Sequence, residues 1–426
     1  MNFPPIVRAL GSRNYRLFFS AQAVSQTGLW MQRLAMGWLV YRLTDSPRAL
    51  GIIDFFASFP TVLLIPLTSF ILPRVELRSV LLLTQALLMG CAALIGGLTL
   101  SGHVTYLWLG GIALLMGVIN AFDMPIRQSM VVYMVDRKED VPNAVALNSS
   151  MFNVARLIGP TIAGMAIHRV GEGICFLLNA AAYSSTIVAV KAMRLTRSTV
   201  ADDSKGGGGL RNIAGTFAMM KAFPPLAHIL LLVTAIAVFG VPYLALMPAM
   251  AKTVLGGTSR TMGLLLMSVG GGALAGSLVM AARKSPVGLD RWAIRCSISF
   301  GAAVALFALS RHVLLSMLLL VFVGFFMVST TISCNTFLQT FVDDAHRSSM
   351  MSLYVAAITG IAPIGSIIVG QMGEMIGTAG ALCASGLVCV IFSLAFSMRL
   401  NRYRHAILRT LRAKGFSLKE GRKWEW

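Results

Sequence analysis

Residues 153–164 read NVARLIGPTIAG. Arg156 stands inside an apolar run, four residues before Pro160, with Gly159 and Gly164 on either side of the proline. In a water-exposed helix these choices are costly. Proline removes a backbone hydrogen bond, and an internal glycine loses about 1 kcal/mol relative to alanine. Inside a bilayer the same residues make sense, because neighbouring helices re-satisfy freed backbone groups and small residues let backbones approach. The segment therefore reads as a bent, closely packed membrane helix. Such a helix can rock against a partner or seal a pathway, or it can simply pack tightly.

The rest of the chain agrees. Of its 426 residues, 56% are hydrophobic and 12% charged, and the mean hydropathy is +0.76. Soluble domains carry roughly 25% charged residues, so this composition cannot cover a soluble surface. The apolar residues come in blocks of about 20, the length of a membrane-crossing helix. The net charge of +20 does not indicate nucleic-acid binding, because the basic residues are interleaved with apolar blocks. Basic residues accumulate in the cytoplasmic loops of membrane proteins. The six cysteines (91, 175, 296, 334, 383 and 389) fall inside apolar blocks without metal-ligand spacing and read as small core residues. The N-terminal stretch has no signal-peptide cleavage pattern, so the first block is expected to remain as a span.

The fold class that follows is an all-α membrane protein with twelve transmembrane helices in two pseudo-symmetric six-helix bundles. Spans are expected near 17–41, 49–72, 79–100, 104–132, 143–169, 173–194, 226–250, 260–282, 292–310, 313–340, 348–373 and 377–398. The expected organisation is an N-terminal bundle (1–194), a flexible linker (195–225) with a four-glycine run, a C-terminal bundle (226–398) and a basic tail (399–426). With both termini in the cytoplasm, Arg42, Arg48, Arg169, Lys252, Arg260 and Arg311 fall outside, and Arg33 and Arg156 fall within spans. All others of the 36 Lys and Arg then lie inside, which selects that orientation. The tail reads either as a basic amphipathic helix on anionic lipid or as a solvated positive segment. A weak repeat links the halves: Gly159-Pro160, Gly164 and Gly171-Glu172 are echoed by Ala362-Pro363, Gly365 and Gly373-Glu374. Transporters commonly place their binding site at such a repeat interface.

Ionisable residues within spans cost about 2.5–3.5 kcal/mol each on insertion scales, so each needs a partner or a wet cavity. Arg33 in the first span and Asp54 in the second reach similar depth and are expected to pair. The pair is either a tuned proton or substrate site or a structural ion pair. Counting depth along the fourth and fifth spans gathers Asn120, Asp123, Asn153 and Arg156 into one polar cluster with Arg127 nearby. That cluster suits an anionic or carbonyl-rich substrate, or it is an internal brace. The glycine groups at 268–276 and 364–377 lack a phosphate-loop pattern, and no HExxH, Cys–His cluster or nucleophile elbow occurs. His168, His228, His312 and His346 are scattered near span ends. No enzyme chemistry, metal or cofactor is expected.

The stretches GLWMQRLAMGWLVYRLTDSPRALG (28–51), NAFDMPIRQSMVVYMV (120–135), NAVALNSSMFNVARLIGPTIAG (143–164), VGEGICFLLNA (170–180), NTFLQTFVDDAHRSSMMSLY (335–354) and GIAPIGSIIVGQMGEMIG (360–377) carry a resemblance over nearly the whole chain. The chain resembles the branch of the major facilitator superfamily that holds enterobactin exporters and macrolide efflux proteins. The resemblance implies that Gly159, Pro160 and Gly164 form the fifth-helix motif of antiport-type exporters. It also implies a gate loop between the second and third helices, usually Gly-Gly-x-Leu-Ala-Asp-Arg-x-x-Arg-Arg. Here the loop is TSFILPRVELRS: Thr68 and Ser69 replace the glycines, Pro73 the aspartate and Leu77 one arginine, while Arg74 and Arg78 remain. The later Arg-Gly-Arg has become Arg347-Ser348-Ser349, and Asp54 stands where a small uncharged residue is expected. A gate so altered must latch differently, through Arg78 or Arg127 to Asp123, or cycling is impaired.

The reading that follows is a monomeric secondary transporter in the inner membrane of a bacterium. It exports a small amphipathic or chelating molecule of siderophore or drug type by alternating access, driven by inward proton flow. Asp54 is the first candidate proton carrier and Asp123 the second. The alternatives are an importer on the same fold and a non-transporting scaffold with an eroded gate.

Overall fold

A computed structural model describes residues 5–71, 74–194, 209–283, 285–414 and 416. These residues are mostly helical, with no strand among them. They divide into two compact units: Met1–Lys205 with Ala251–Met267, and Gly206–Met250 with Ser268–Trp426.

The first unit holds α1 (Arg13–Thr44), α2 (Pro47–Ile71), α3 (Leu77–Leu100), α4 (Tyr106–Met134) and α5 (Val141–Ala192). The ends follow local chemistry. Asp45 caps α1 in the left-handed region (φ 47°), its N–H returning to the Tyr41 carbonyl, and Pro47 then opens α2 at a position where no N–H is needed. The Thr105 hydroxyl caps α4 at Trp108 N. A straight 52-residue α5 would run about 78 Å at 1.5 Å per residue, far beyond a hydrocarbon core of about 30 Å. The chain turns back at Gly171, whose φ of 81° and ψ of 170° are open to glycine. The two arms lie side by side, since α1 touches both: Trp30 meets Gly159 on one arm and Gly28 meets Asn179 on the other. At one end of the unit Tyr15, Phe18, Leu77, Leu81, Ile126 and Met130 form a buried core, where the Tyr15 hydroxyl donates to Ala144 O at 2.8 Å.

The second unit contains α6 (Gly209–Ala222), α7 (Pro224–Ala235), the single turn α8 (Met247–Ala249), most of α9 (Ser259–Ala282), α10 (Leu289–Leu309), α11 (Val313–Phe341), α12 (Asp344–Val355), α13 (Ala362–Arg402) and α14 (Arg404–Ala413). Gly377, with φ 78°, turns α13 as Gly171 turns α5. Close approach is extensive. A Cβ on Gly324 would strike the Val269 carbonyl, and one on Gly301 would lie 2.6 Å from Gly386 O. Without a hydrophobic drive between helices in lipid, such contacts supply the packing.

Two expectations change. The span near 226–250 is not one α-helix. After α7 it widens into a π-type turn (Ile236–Gly240) and narrows into a 3-10 turn (Val241–Leu244). Pro242 has no N–H to offer the Val238 carbonyl, and Gly365 packs on that oxygen so closely that a Cβ has no room. Part of the stretch expected as flexible linker, Gly209–Ala222, is helical. Its Thr216 and Met220, one turn apart, are buried, and Gly215 lies against the His346 ring of α12. Residues 195–208 lie outside those described.

Among the described residues nine stretches are long and apolar enough to cross a bilayer. Two of them, Lys138–Ala192 and His346–Leu400, have 55 residues each and turn at Gly171 and Gly377. Each therefore supplies two crossings. α1 is less apolar than these nine because Gln22, Gln26, Gln32 and Arg33 punctuate it. With α1 the helices accommodate the twelve expected crossings. Leu107, Leu314 and Met375 are 83%, 81% and 75% exposed, an apolar surface suited to hydrocarbon.

Candidate functional site

The polar interior of the first unit begins at Asp123, which is fully buried on α4. Its Oδ1 accepts from Thr84 Oγ1 at 2.8 Å and Gln85 Nε2 at 2.7 Å, both on α3. Its Oδ2 pairs with Arg127 Nη2 at 2.5 Å, one helical turn along α4. Arg127 Nη1 donates onward to Gln22 Oε1 of α1 at 3.2 Å. One carboxylate and one guanidinium thus tie three helices together. Each charge is met by the other and by neutral dipoles, the arrangement a buried pair needs to offset its desolvation.

Farther along α1 a second polar chain begins. Asn179 Nδ2 donates to Gln32 Oε1, and Gln32 Nε2 reaches Met116 Sδ at 3.1 Å. Tyr183, one turn along α5 from Asn179, lies in the field of Asp123, Arg127 and Arg33. Tyr183 therefore stands between the two groups of charge.

The third feature surrounds Trp30. Arg33 Cζ lies 5.0 Å from the indole centroid and Arg156 Cζ 5.7 Å. Phe152 meets the same ring edge-on, with centroids 5.8 Å apart. Gly159 makes room for this tryptophan: a Cβ there would lie 2.6 Å from Trp30 Cβ and 2.9 Å from Thr27 O. Pro160 has no N–H to offer the Arg156 carbonyl one turn earlier. Gly164 serves a different neighbour. A Cβ on it would lie 2.7 Å from Ser259 O and 3.1 Å from the Gly263 Cα, at the start of α9.

Arg33 lies in the electrostatic field of Asp54. Asp54 is the foremost favourable charge acting on Arg33, which Arg156 opposes. The four-residue cluster expected around Asn120 does not form. Asn120 bonds its own Met116 carbonyl, and the exposed Asn153 bonds its own Ser149 carbonyl. Asp123 faces α3, and Arg156 faces Trp30 of α1. Counting depth from a shared turn assumes that chain neighbours pack together, whereas α5 packs chiefly on α1 and α3. In the gate loop, Arg74 is exposed and Arg78 donates to Lys191 O at 3.0 Å. Of the two latches offered for Asp123, only Arg127 reaches it. Pro73 lies outside the described residues.

Sequence reasoning missed Gln22, Trp30, Gln32, Thr84, Gln85, Asn179 and Tyr183. A signal existed for some: glutamines at 22, 26 and 32 interrupt the first apolar block, and Thr84-Gln85 interrupts the third. At the far end of α1, Arg42 pairs with Glu172 at 2.9 Å, Lys252 with Asp45 at 2.5 Å, and the Tyr41 and Thr253 hydroxyls meet at 2.6 Å.

Residues 7–410 match the sequence model of a family described as transmembrane secretion effectors. A Staphyloferrin A transporter of Staphylococcus aureus (strain NCTC 8325 / PS 47) is 22% identical over 400 residues, 92% of this chain and 99% of that protein. Among solved structures, the nucleoside transporter NupG superposes with a TM-score of 0.70 at 14% identity, over 90% of this chain and 98% of that one. A bacterial homologue of the human lysosomal transporter Spinster, inward-facing and unoccupied, gives 0.68 at 12% identity, over 98% and 100%. These likenesses establish the transporter fold.

Proposed function

Because the chain belongs to the transmembrane secretion effector family of major facilitator transporters, we propose that it is a proton-coupled exporter. It carries a small amphipathic or chelating molecule out of the bacterial cytoplasm by alternating access. The family description supports the outward direction, and the Staphyloferrin A transporter supports a siderophore-type chelator as cargo. The observation that carries the reading is the different surroundings of two carboxylates within spans, one fully buried and the other half-buried beside an arginine. Asp123 is committed, with two neutral donors and Arg127 on its oxygens. Asp54 is half-buried beside Arg33, itself an exposed side chain within a span. Asp54 is therefore the proton carrier of choice, and Asp123 holds the bundle. Both termini lie in the cytoplasm in this reading, the protein works as a monomer in the inner membrane, and no cofactor takes part.

Uptake is the second reading. Asp54 is the compensating charge felt by Arg33, and neutralising it would leave Arg33 uncompensated. If a substrate anion then binds Arg33, proton and substrate bind together, and inward proton flow drives uptake. If they exclude one another, the same gradient drives export. The experiment is transport in proteoliposomes of known orientation with an imposed pH gradient. Export predicts substrate movement against the proton flux, lost in Asp54→Asn. Gradient-dependent transport at the full rate in Asp54→Asn removes Asp54 from the mechanism. Absence of any gradient-dependent flux of chelators or amphipathic drugs in the wild-type protein refutes the transport reading itself.

A further inference from the structure

Arg156 is unusual among the charges of the first unit. It lies within a span, half-buried, and no carboxylate pairs with it among the described residues. Its neighbours are the face of Trp30 and a second cation, Arg33. An intramembrane arginine without a counter-ion is costly, and such residues mark substrate or ion pathways. Asp54 compensates Arg33, so Arg33, Asp54 and Arg156 together keep a net positive charge.

The surroundings are arranged to hold that charge rather than cancel it. The two guanidiniums lie against one indole, at 5.0 and 5.7 Å from its centroid, so they stand within the span of one small molecule. The indole N–H is buried and has no acceptor among the described residues. Phe152 and Gly159 fix the ring, from its edge and from beneath its Cβ. Guanidiniums present planar donor pairs that match carboxylates, and an arginine stacked on an aromatic ring retains its in-plane donors.

We propose that Arg156 and Arg33, both held against the Trp30 ring, are the anion-binding subsite of the transported molecule, and that this molecule presents carboxylates. The proposal rests on the transport reading for its biological sense but not for its test, which needs neither gradient nor direction. It also recasts the fifth-helix glycine. Gly159 acts as the space in which the tryptophan seats the two arginines.

The test is equilibrium binding to the full chain in neutral detergent. Tryptophan emission is titrated with malonate, glutarate and tricarballylate, and in parallel with their methyl esters. The expected result is a saturable change with the acids, absent with the esters and lost in Trp30→Phe, which removes the reporting indole. Arg156→Gln weakens binding about tenfold or more, as the loss of a charge-assisted contact requires. Arg156→Lys, which keeps charge but loses the paired donors, weakens it less. Thermal unfolding of each variant separates a lost site from a lost fold, and Arg156→Lys stands in if the glutamine variant does not fold. Equal response to acid and ester, an unchanged affinity in Arg156→Gln, or no response to any acid overturns the proposal. Binding without gradient-driven flux spares the subsite and rejects the proton-coupled reading. Flux without acid binding does the reverse.

Discussion

Replacing Asp123 by asparagine keeps the shape of the side chain and removes its charge. The buried carboxylate accepts two neutral hydrogen bonds and one ion pair at 2.5 Å. After the substitution Arg127, whose side chain is 11% exposed, faces an amide and keeps Gln22 as its hydrogen-bond partner. Breaking one side of a buried pair costs about 3–5 kcal/mol, whereas removing both charges is often close to neutral. Asp123→Asn is therefore expected to lose about 3 kcal/mol or more of unfolding free energy, and Arg127→Gln a similar amount. The double variant is expected to lose far less than the sum, leaving a coupling energy of about 2 kcal/mol. Denaturant unfolding in mixed micelles measures all four proteins. A loss below about 1 kcal/mol in Asp123→Asn, or strict additivity in the double variant, would falsify the view of this pair as the brace of α1, α3 and α4.

Gly159→Ala forces a Cβ to within 2.6 Å of Trp30 and 2.9 Å of the Thr27 carbonyl, so α1 and α5 must separate. We expect a destabilisation of about 1–3 kcal/mol and a shift of tryptophan emission; an unchanged spectrum with wild-type stability counts against the contact. Gly171→Ala places a side chain at φ 81° with nothing within 4 Å, so the cost is conformational alone, on the order of 1–3 kcal/mol, and is read by thermal unfolding. Glu172→Gln removes a buried carboxylate from its pair with the half-exposed Arg42 and is expected to cost about 1–3 kcal/mol; wild-type stability in this variant means that the pair contributes nothing measurable.

The membrane fold was legible because it is written in block length and charge placement, which local sequence carries. The irregular turns around Pro242 were not foreseen, although the proline was in plain view. Proline announces a break, but the π-type and 3-10 turns around Pro242 depend on Gly365 arriving against Val238 from far along the chain. The site was less legible for the same reason. Depth counting placed Arg33 near Asp54 because those helices adjoin through a short turn. It failed for Asn120 and Asn153, whose helices follow one another in the chain yet turn those side chains back on their own backbones. Besides Arg127, one turn along its own helix, the partners of Asp123 are the uncharged Thr84 and Gln85 of α3, and Arg127 in turn reaches Gln22 of α1. Nothing in a carboxylate's sequence neighbourhood names the threonine and glutamine that will receive it.

The one-residue bend at Gly171 has a practical consequence. Two membrane-crossing arms joined by a single glycine offer almost no loop on that side. A protease or antibody approaching there meets helix ends rather than loose chain, and an epitope tag inserted at the bend would pry the hairpin open. Reporters for this protein are better fused elsewhere, and a cysteine placed beside Gly171 would ride on a rigid corner whose movement follows both arms at once.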